Sequence, residues 1–260
     1  MHREADDPSG EVPVVLAHGF TGSSASWPDG ILEGLASTGP RAVAVDLPGH
    51  GARTEEEGPG AFTLEAALAV LGSATTGRMD LVAYSMGGRI ALHFAARFPE
   101  RVRRLVLESA SPGLERARER AWRRAEDESL ALRIERHGVA AFVADWSSRP
   151  VIRSARSRPP ELEEHVRRAR SANSAEGLAG ALRGLGTGAL PSLWTRLHQV
   201  RSPTLLLVGA EDPKFVKIGC RMADALPDAV LEIVPGAGHT IHLDRPQEWL
   251  ERVRGHLAER

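Results

Sequence analysis

Ser85 stands between an apolar run and two glycines in LVAYSMGGRIAL, residues 81–92. A serine hydroxyl does little chemistry until a histidine takes its proton and a third group orients that histidine. Asp212, closing TLLLVGAED, and His239, following VLEIVPGAG, have the required types and complete the order Ser, Asp, His. His239 is expected to accept the Ser85 proton, and Asp212 to hold the imidazole's tautomer and stabilise its cation. The backbone N–H groups of Phe20, in HGFTG, and of Met86 are candidate donors to a developing negative oxygen. A tight turn bearing such a serine wants small residues two positions to either side. Gly87 supplies one, Gly88 eases packing of the next helix, and Ala83 departs from the G-x-S-x-G pattern by a methyl group. Arg89 lies four residues after Ser85, on the same face of the expected helix, where packing alone asks only for an apolar or small residue.

Other polar residues read as scaffold. His18 is expected to brace a turn, and Asp46 and His50 in DLPGHG to shape a loop. His242 is a weaker second candidate for the base, since the glycines of GAGH single out His239. The His and carboxylate spacings fit no zinc pattern, and no phosphate-cradling or dinucleotide loop is present, so no metal or cofactor is expected. GTGALP is glycine-rich but lacks the lysine and the preceding strand.

These residues need elements to bring them together. Six short runs rich in Val, Ile and Leu, namely VPVVLAHG, RAVAVDLPGHG, MDLVAY, VRRLVLES, TLLLVGAED and VLEIVPGAGH, read as parallel strands covered on both faces. Helices are expected near residues 24–37, 62–73, 86–98, 215–226 and 246–257, which makes a doubly wound α/β sheet. Ligands of such sheets gather at the carboxyl ends of the strands, where Ser85, Asp212 and His239 all fall. From residue 111 to about 200 the rhythm breaks into helical patterns alone. Leu114, Ala117, Ala121, Ala125 and Leu132 give one apolar stripe there, which places Arg123 on the opposite side. The expected organisation is a core of 1–110 and 200–260 with a helical cap inserted at 111–199.

Composition narrows the class. The 260 residues carry a formal net charge of −1, which marks no nucleic-acid or anionic-membrane surface. Lysine occurs only at Lys214 and Lys217, and the other basic side chains are arginines, the two-pronged partners of carboxylates. Residues 111–190 hold 15 arginines against 11 Asp and Glu, an excess that favours an anionic small molecule if this segment covers a site. The single Cys220 excludes an internal disulfide, and no window forms an apolar span. A cytoplasmic protein, monomeric or weakly oligomeric, is expected.

Seven stretches, HGFTGSSASW, YSMGGRIAL, LESASPGL, ERAWRRAEDE, GLAGALRGLGTGALPSLW, GAEDPKFV and GAGHTIH, carry a closer resemblance. They cover nearly the whole chain and resemble the 2-succinyl-6-hydroxy-2,4-cyclohexadiene-1-carboxylate (SHCHC) synthases of menaquinone biosynthesis. The resemblance implies the α/β-hydrolase fold, with a helical lid inserted after that fold's sixth-strand region. It implies a lyase that eliminates pyruvate from an enolpyruvyl-cyclohexene tricarboxylate, with Ser85 acting as a histidine-activated base. It also implies that Arg89, Arg123 and Arg170 hold the substrate's carboxylates, and that Tyr84 and Trp146 line the site. The segment before VPVVLAHG is short and polar, so the edge strands that often open this fold are expected to be minimal or missing. A serine hydrolase, a carboxylesterase or carbon–carbon bond hydrolase using Ser85 as nucleophile, needs the same Ser–His pair, and the arginines favour the lyase over it; the intact Ser85, Asp212 and His239 set speaks against a binding protein that only kept the fold.

Overall fold

The computed structural model describes residues 12–37, 41–55, 58, 60–149 and 158–259. Its six strands are β1 Val14–Ala17, β2 Ala42–Val45, β3 Met79–Tyr84, β4 Val102–Glu108, β5 Thr204–Gly209 and β6 Ala229–Val234. All neighbours run parallel, in the order β2-β1-β3-β4-β5-β6. Because side chains alternate across a strand, each central strand feeds two cores. Val15, Ala17, Leu81, Ala83, Leu105 and Leu107 pack to one side, and Val14, Leu16, Val82, Tyr84 and Val106 to the other. That double burial is why these segments read as unbroken apolar runs.

The first core is closed by α2 Leu64–Ser73, α3 Met86–Arg97 and α7 Pro213–Ala225. The second is closed by α1 Ile31–Ala36, α8 Ile241–Asp244 and α9 Pro246–Ala258, with Trp27 and Trp249 as large buried fillers. The helix expected over 24–37 is instead a single 3₁₀ turn, Ser24–Ser26, followed by a separate α1. Pro28 and Gly30 explain the division: the proline interrupts, and Gly30 sits at φ 82° as the cap of α1. The segment before residue 12, where edge strands are expected to be minimal or missing, lies outside the described residues.

Between β4 and β5 lie α4 Ala117–Ser148, α5 Pro160–Ser171 and α6 Ala175–Leu185, and no strand occurs there among the described residues. They enclose a third apolar cluster, in which Leu130, Ala131 and Ile134 of α4 meet Leu178, Ala179 and Leu182 of α6. Arg183 of α6 adds bonds to Glu128 and Glu135 of α4. The apolar stripe expected on α4 is inverted. Ala117, Ala121, Ala125 and Leu132 face solvent, Leu132 being 50% exposed, and Trp122 beside them is 65% exposed. The buried side carries Asp127, Leu130, Ala131 and Ile134. Alanine marks burial weakly, and the inward face looks partly onto a polar cavity, so hydrophobicity pointed the wrong way. The helix is unbroken at Arg123; its interruption is at Gly138, with φ 80° and ψ 167°. No helix among the described residues is long and apolar enough to cross a membrane.

Candidate active site

The chain runs from β1 out to β2, then returns to β3 on β1's other side, so the loops after β1 and β3 diverge and leave a crevice. Ser85 occupies the turn from β3 into α3 with φ 51° and ψ −106°, a conformation L-residues rarely hold. The turn is fixed by neighbours. Ser85 N–H donates to Glu108 O at 2.9 Å, and Gly87 N–H to His18 O at 3.1 Å. A Cβ on Gly87 would stand 2.5 Å from His18 O and 2.6 Å from Ala17 O, so this position accepts only glycine without displacement. Ala83, by contrast, lies in β3 with its methyl in the core, which absorbs the departure from the expected glycine.

Ser85 Oγ–H donates to His239 Nε2 at 3.0 Å, and His239 Nδ1–H donates to Asp212 Oδ2 at 2.8 Å. The carboxylate can only accept, which fixes the proton on Nδ1 and leaves Nε2 as the acceptor facing the serine. Asp212 is held in turn: it caps α7, and its Oδ1 accepts Phe215 N–H at 3.2 Å. His239 is buried between Phe215 and Tyr84, with ring centroids 4.5 and 5.5 Å away. Gly209 at the end of β5 lets the His239 loop pass, since a Cβ there would meet Gly238 O at 2.1 Å.

The second histidine of that loop faces elsewhere. His242 Nδ1–H donates to Glu108 at 2.8 Å, and Trp249 Nε1–H donates to the same buried carboxylate. This is an internal brace beneath Tyr84, 4.9 Å from the His242 ring. His18 and His50 are braces too. His18 Nε2 accepts Leu47 N–H at 3.0 Å, and His50 Nε2 accepts Thr21 N–H at 3.2 Å. Burial pushes His18 down to about 4; burial together with His18 pushes His50 down to about 3, so both are neutral acceptors. Asp46 accepts the N–H groups of Ser24 and Ala52. Together they hold the loop that presents Phe20. The N–H groups of Phe20 and Met86 take no acceptor among the described residues, and Met86 opens the 12-residue α3 with its favourable dipole end.

A cavity of about 690 Å³ opens over Ser85 and His239. Arg89, Arg123, Tyr84 and Trp146 line it. Arg89 projects from α3 and is buried; its Nη2 donates to Leu185 O at 3.2 Å, and its Nε has no partner among the described residues. Burial and the nearby Arg123 draw its pKa down to about 10, opposed by Asp127, so it stays charged at neutral pH. Arg123 sits on α4 and donates through Nε to Asp127 Oδ1 at 2.8 Å. Its position opposite the alanine stripe therefore aims it inward, with no loop needed. Trp146 packs its ring edgewise on Phe20 at 5.3 Å, and its Nε1 is buried without a partner among the described residues.

Arg170 is not gathered into this cavity. It is buried on α5, donates to Ser147 Oγ at 3.0 Å, and lines a smaller neighbouring cavity of about 30 Å³. Tyr84 and Phe20 line both spaces and form the wall between them. Three residues escaped the sequence reading. Lys214 lines the large cavity from α7, two positions after Asp212, and its place in GAEDPKF is a visible signal. Asp127 lies one helical turn after Arg123, a spacing that also shows in the sequence. Arg158 donates to Asp244 Oδ1 and Thr240 Oγ1, and Asp244 Oδ2 accepts Gly238 N–H beside His239. That long-range pairing has no local signature. Among the described residues no group of three or more His, Cys, Asp or Glu is placed to hold a metal.

Comparison with known proteins agrees with this layout. The family model described as alpha/beta hydrolase fold matches residues 12–246. A 2-succinyl-6-hydroxy-2,4-cyclohexadiene-1-carboxylate synthase of Serratia proteamaculans is 34% identical over 98% of this chain and 95% of its own. A Bacillus subtilis protein provisionally given the same name is 37% identical over 93% of this chain and 89% of its own. The solved structure of MenH from S. aureus superposes with a TM-score of 0.88 at 32% identity, covering 98% of this chain and 96% of that one. A thermophilic esterase from Thermogutta terrifontis, 26% identical with a TM-score of 0.76 over 95% of this chain and 89% of its own, shares the scaffold. The chain belongs to the α/β-hydrolase fold family and, within it, to the 2-succinyl-6-hydroxy-2,4-cyclohexadiene-1-carboxylate synthases.

Proposed function

We propose that this chain is a carbon–oxygen lyase of menaquinone biosynthesis that eliminates pyruvate from 2-succinyl-5-enolpyruvyl-6-hydroxy-3-cyclohexene-1-carboxylate to give SHCHC. Ser85 Oγ takes the ring proton alpha to the succinyl carbonyl while its own proton passes to His239 Nε2, and Asp212 stabilises the resulting imidazolium. The C–H electrons move toward the carbonyl, whose oxygen becomes negative and is met by the N–H groups of Phe20 and Met86. When the carbonyl re-forms, the electrons shift through the ring alkene and break the bond to the enolpyruvyl oxygen. The departing enolate takes up a proton and becomes pyruvate. No water adds, and Ser85 never becomes acylated.

The observation that carries this reading is the presence of Arg89 and Arg123 in the serine's own cavity, whose lining also includes Arg116, Arg221 and Lys214. The substrate bears three carboxylates, and guanidiniums hold carboxylates two-pronged, which sets the acidic carbon against Ser85. A neutral ester would leave the Arg123 Nη1 and Nη2 groups, which take no acceptor among the described residues, without a carboxylate to hold. Trp146 and Tyr84 flank the ring, the helices of 111–199 act as a lid, and Arg170, expected as a third clamp, stands behind the Tyr84–Phe20 wall and outside the clamp set that this cavity offers. The shared scaffold with an esterase keeps hydrolysis as the rival. Purified protein is expected to release one pyruvate per substrate consumed, followed with lactate dehydrogenase and NADH, and to turn over p-nitrophenyl esters barely. Strong esterase activity without pyruvate would overturn the assignment.

A further inference from the structure

Glu115 and Glu119 line the cavity, and behind its Arg123 stands a further acid, Asp127, which neither the proton transfer nor the carboxylate clamps employ. Asp127 follows Arg123 by one turn of α4 and is 3% exposed. Its Oδ1 accepts Arg123 Nε–H at 2.8 Å, while its Oδ2 is buried with no hydrogen-bond partner among the described residues. An ion pair four residues apart is commonly a minor support on a solvated helix face. Asp127 differs in three respects. It points inward, its Oδ2 has no well-formed hydrogen bond among the described residues where water does not reach, and it faces a cation from another element. That cation is Arg89, whose own Nε is buried and unpartnered, and whose charge is felt by both Asp127 and Arg123. Burial raises the Asp127 carboxyl above its usual range, and Arg123, Arg89 and the Gly188 N–H oppose that rise.

Two guanidiniums converging on one cavity repel each other before any substrate arrives. A carboxylate between them offsets that repulsion. Gripping Arg123 by Nε also leaves its Nη1 and Nη2, which take no acceptor among the described residues, as a free fork. We propose that Asp127 is a positioning residue, which holds Arg123 through Nε and balances it against Arg89 so that both present their forks to the substrate's carboxylates. The proposal rests on the lyase reading for its substrate, and on nothing but geometry for the grip on Arg123.

The test combines Asp127→Asn, which keeps shape and an acceptor, with Asp127→Ala, Arg123→Ala and the Arg123→Ala/Asp127→Ala double variant. Pyruvate release from wild type comes first, and its absence would overturn the lyase reading alone. Given activity, Asp127→Ala is expected to raise KM about tenfold with kcat within about threefold, the pattern of lost binding. Asp127→Asn should fall between it and wild type. In the Arg123→Ala background, removing Asp127 should add less than about twofold, since its grip has no object there. Calorimetric binding of 2-oxoglutarate, a keto dicarboxylate probe, should follow the same order and needs no turnover. Thermal melts identify a variant that fails to fold, in which case Asp127→Asn carries the comparison. Equal losses with and without Arg123, tighter binding in Asp127→Asn, or wild-type behaviour of both single variants would each overturn the proposal.

Discussion

Arg89 joins two opposing demands in one side chain. It is buried against α6, and taking a guanidinium out of water is costly unless something repays its charge. Inside the protein it finds one carbonyl bond and an unpartnered Nε, which is poor recompense for folding alone. On the proposed function, a substrate carboxylate supplies the missing partner. Replacing Arg89 with alanine should therefore lower kcat/KM by about 1.5–3 kcal/mol, the worth of a charge-assisted bond. The melting temperature should hold or rise, because a buried charge is removed. Arg89→Lys should not restore activity, since an ammonium cannot reproduce the fork. Near-normal kinetics in Arg89→Ala would show that the charge serves packing only.

At the scale of elements, the strand–turn–helix around Ser85 leaves almost no slack. The carbonyl oxygens of Ala17 and His18 crowd Gly87, and they belong to the strand end and loop that also carry Phe20. Gly87→Ala must push the start of α3 away from β1, which moves the serine and the Met86 N–H together. A stability loss of about 1–3 kcal/mol is expected, with pyruvate release nearly abolished in the protein that still folds. Urea melts and kinetics on the same preparation check both. The strands and the Ser85 turn were legible because doubly buried β-segments and a glycine-flanked serine leave strong local signatures. The face of α4 was not legible: Ala117, Ala121 and Ala125 form a small-residue stripe that solvent tolerates, whereas Asp127 goes inside because Arg123 and Arg89 await it. Arg170 behind the wall and Arg158 on Asp244 depend on which helices meet, and spacing within one helix carries no record of that.

Over the whole molecule, several buried histidines are held neutral. Burial pushes His18 down to about 4, burial and His18 push His50 down to about 3, and burial and Arg89 push His93 down to about 4. In the unfolded chain each titrates near 6.5, so on acidification the unfolded state takes up protons first. The stability they support is intact above pH 6.5 and declines as the pH falls toward about 4 for His18 and His93, and about 3 for His50. Each contributes about 1.4 kcal/mol per pH unit in its window. Asp80 and Asp127, raised by burial, work in the opposite sense. The urea midpoint should thus fall clearly from pH 7.5 to pH 5, and an unchanged midpoint would contradict the assigned burial. The interruption at Gly138 has a consequence for reach. Left straight, the 32 residues of α4 would make a rod of about 48 Å. Arg123 and Trp146 would then stand about 35 Å apart along it, much too far to touch one small molecule. One glycine with a positive φ bends that rod, so a single stretch of chain can offer a cation and an aromatic ring to the same cavity.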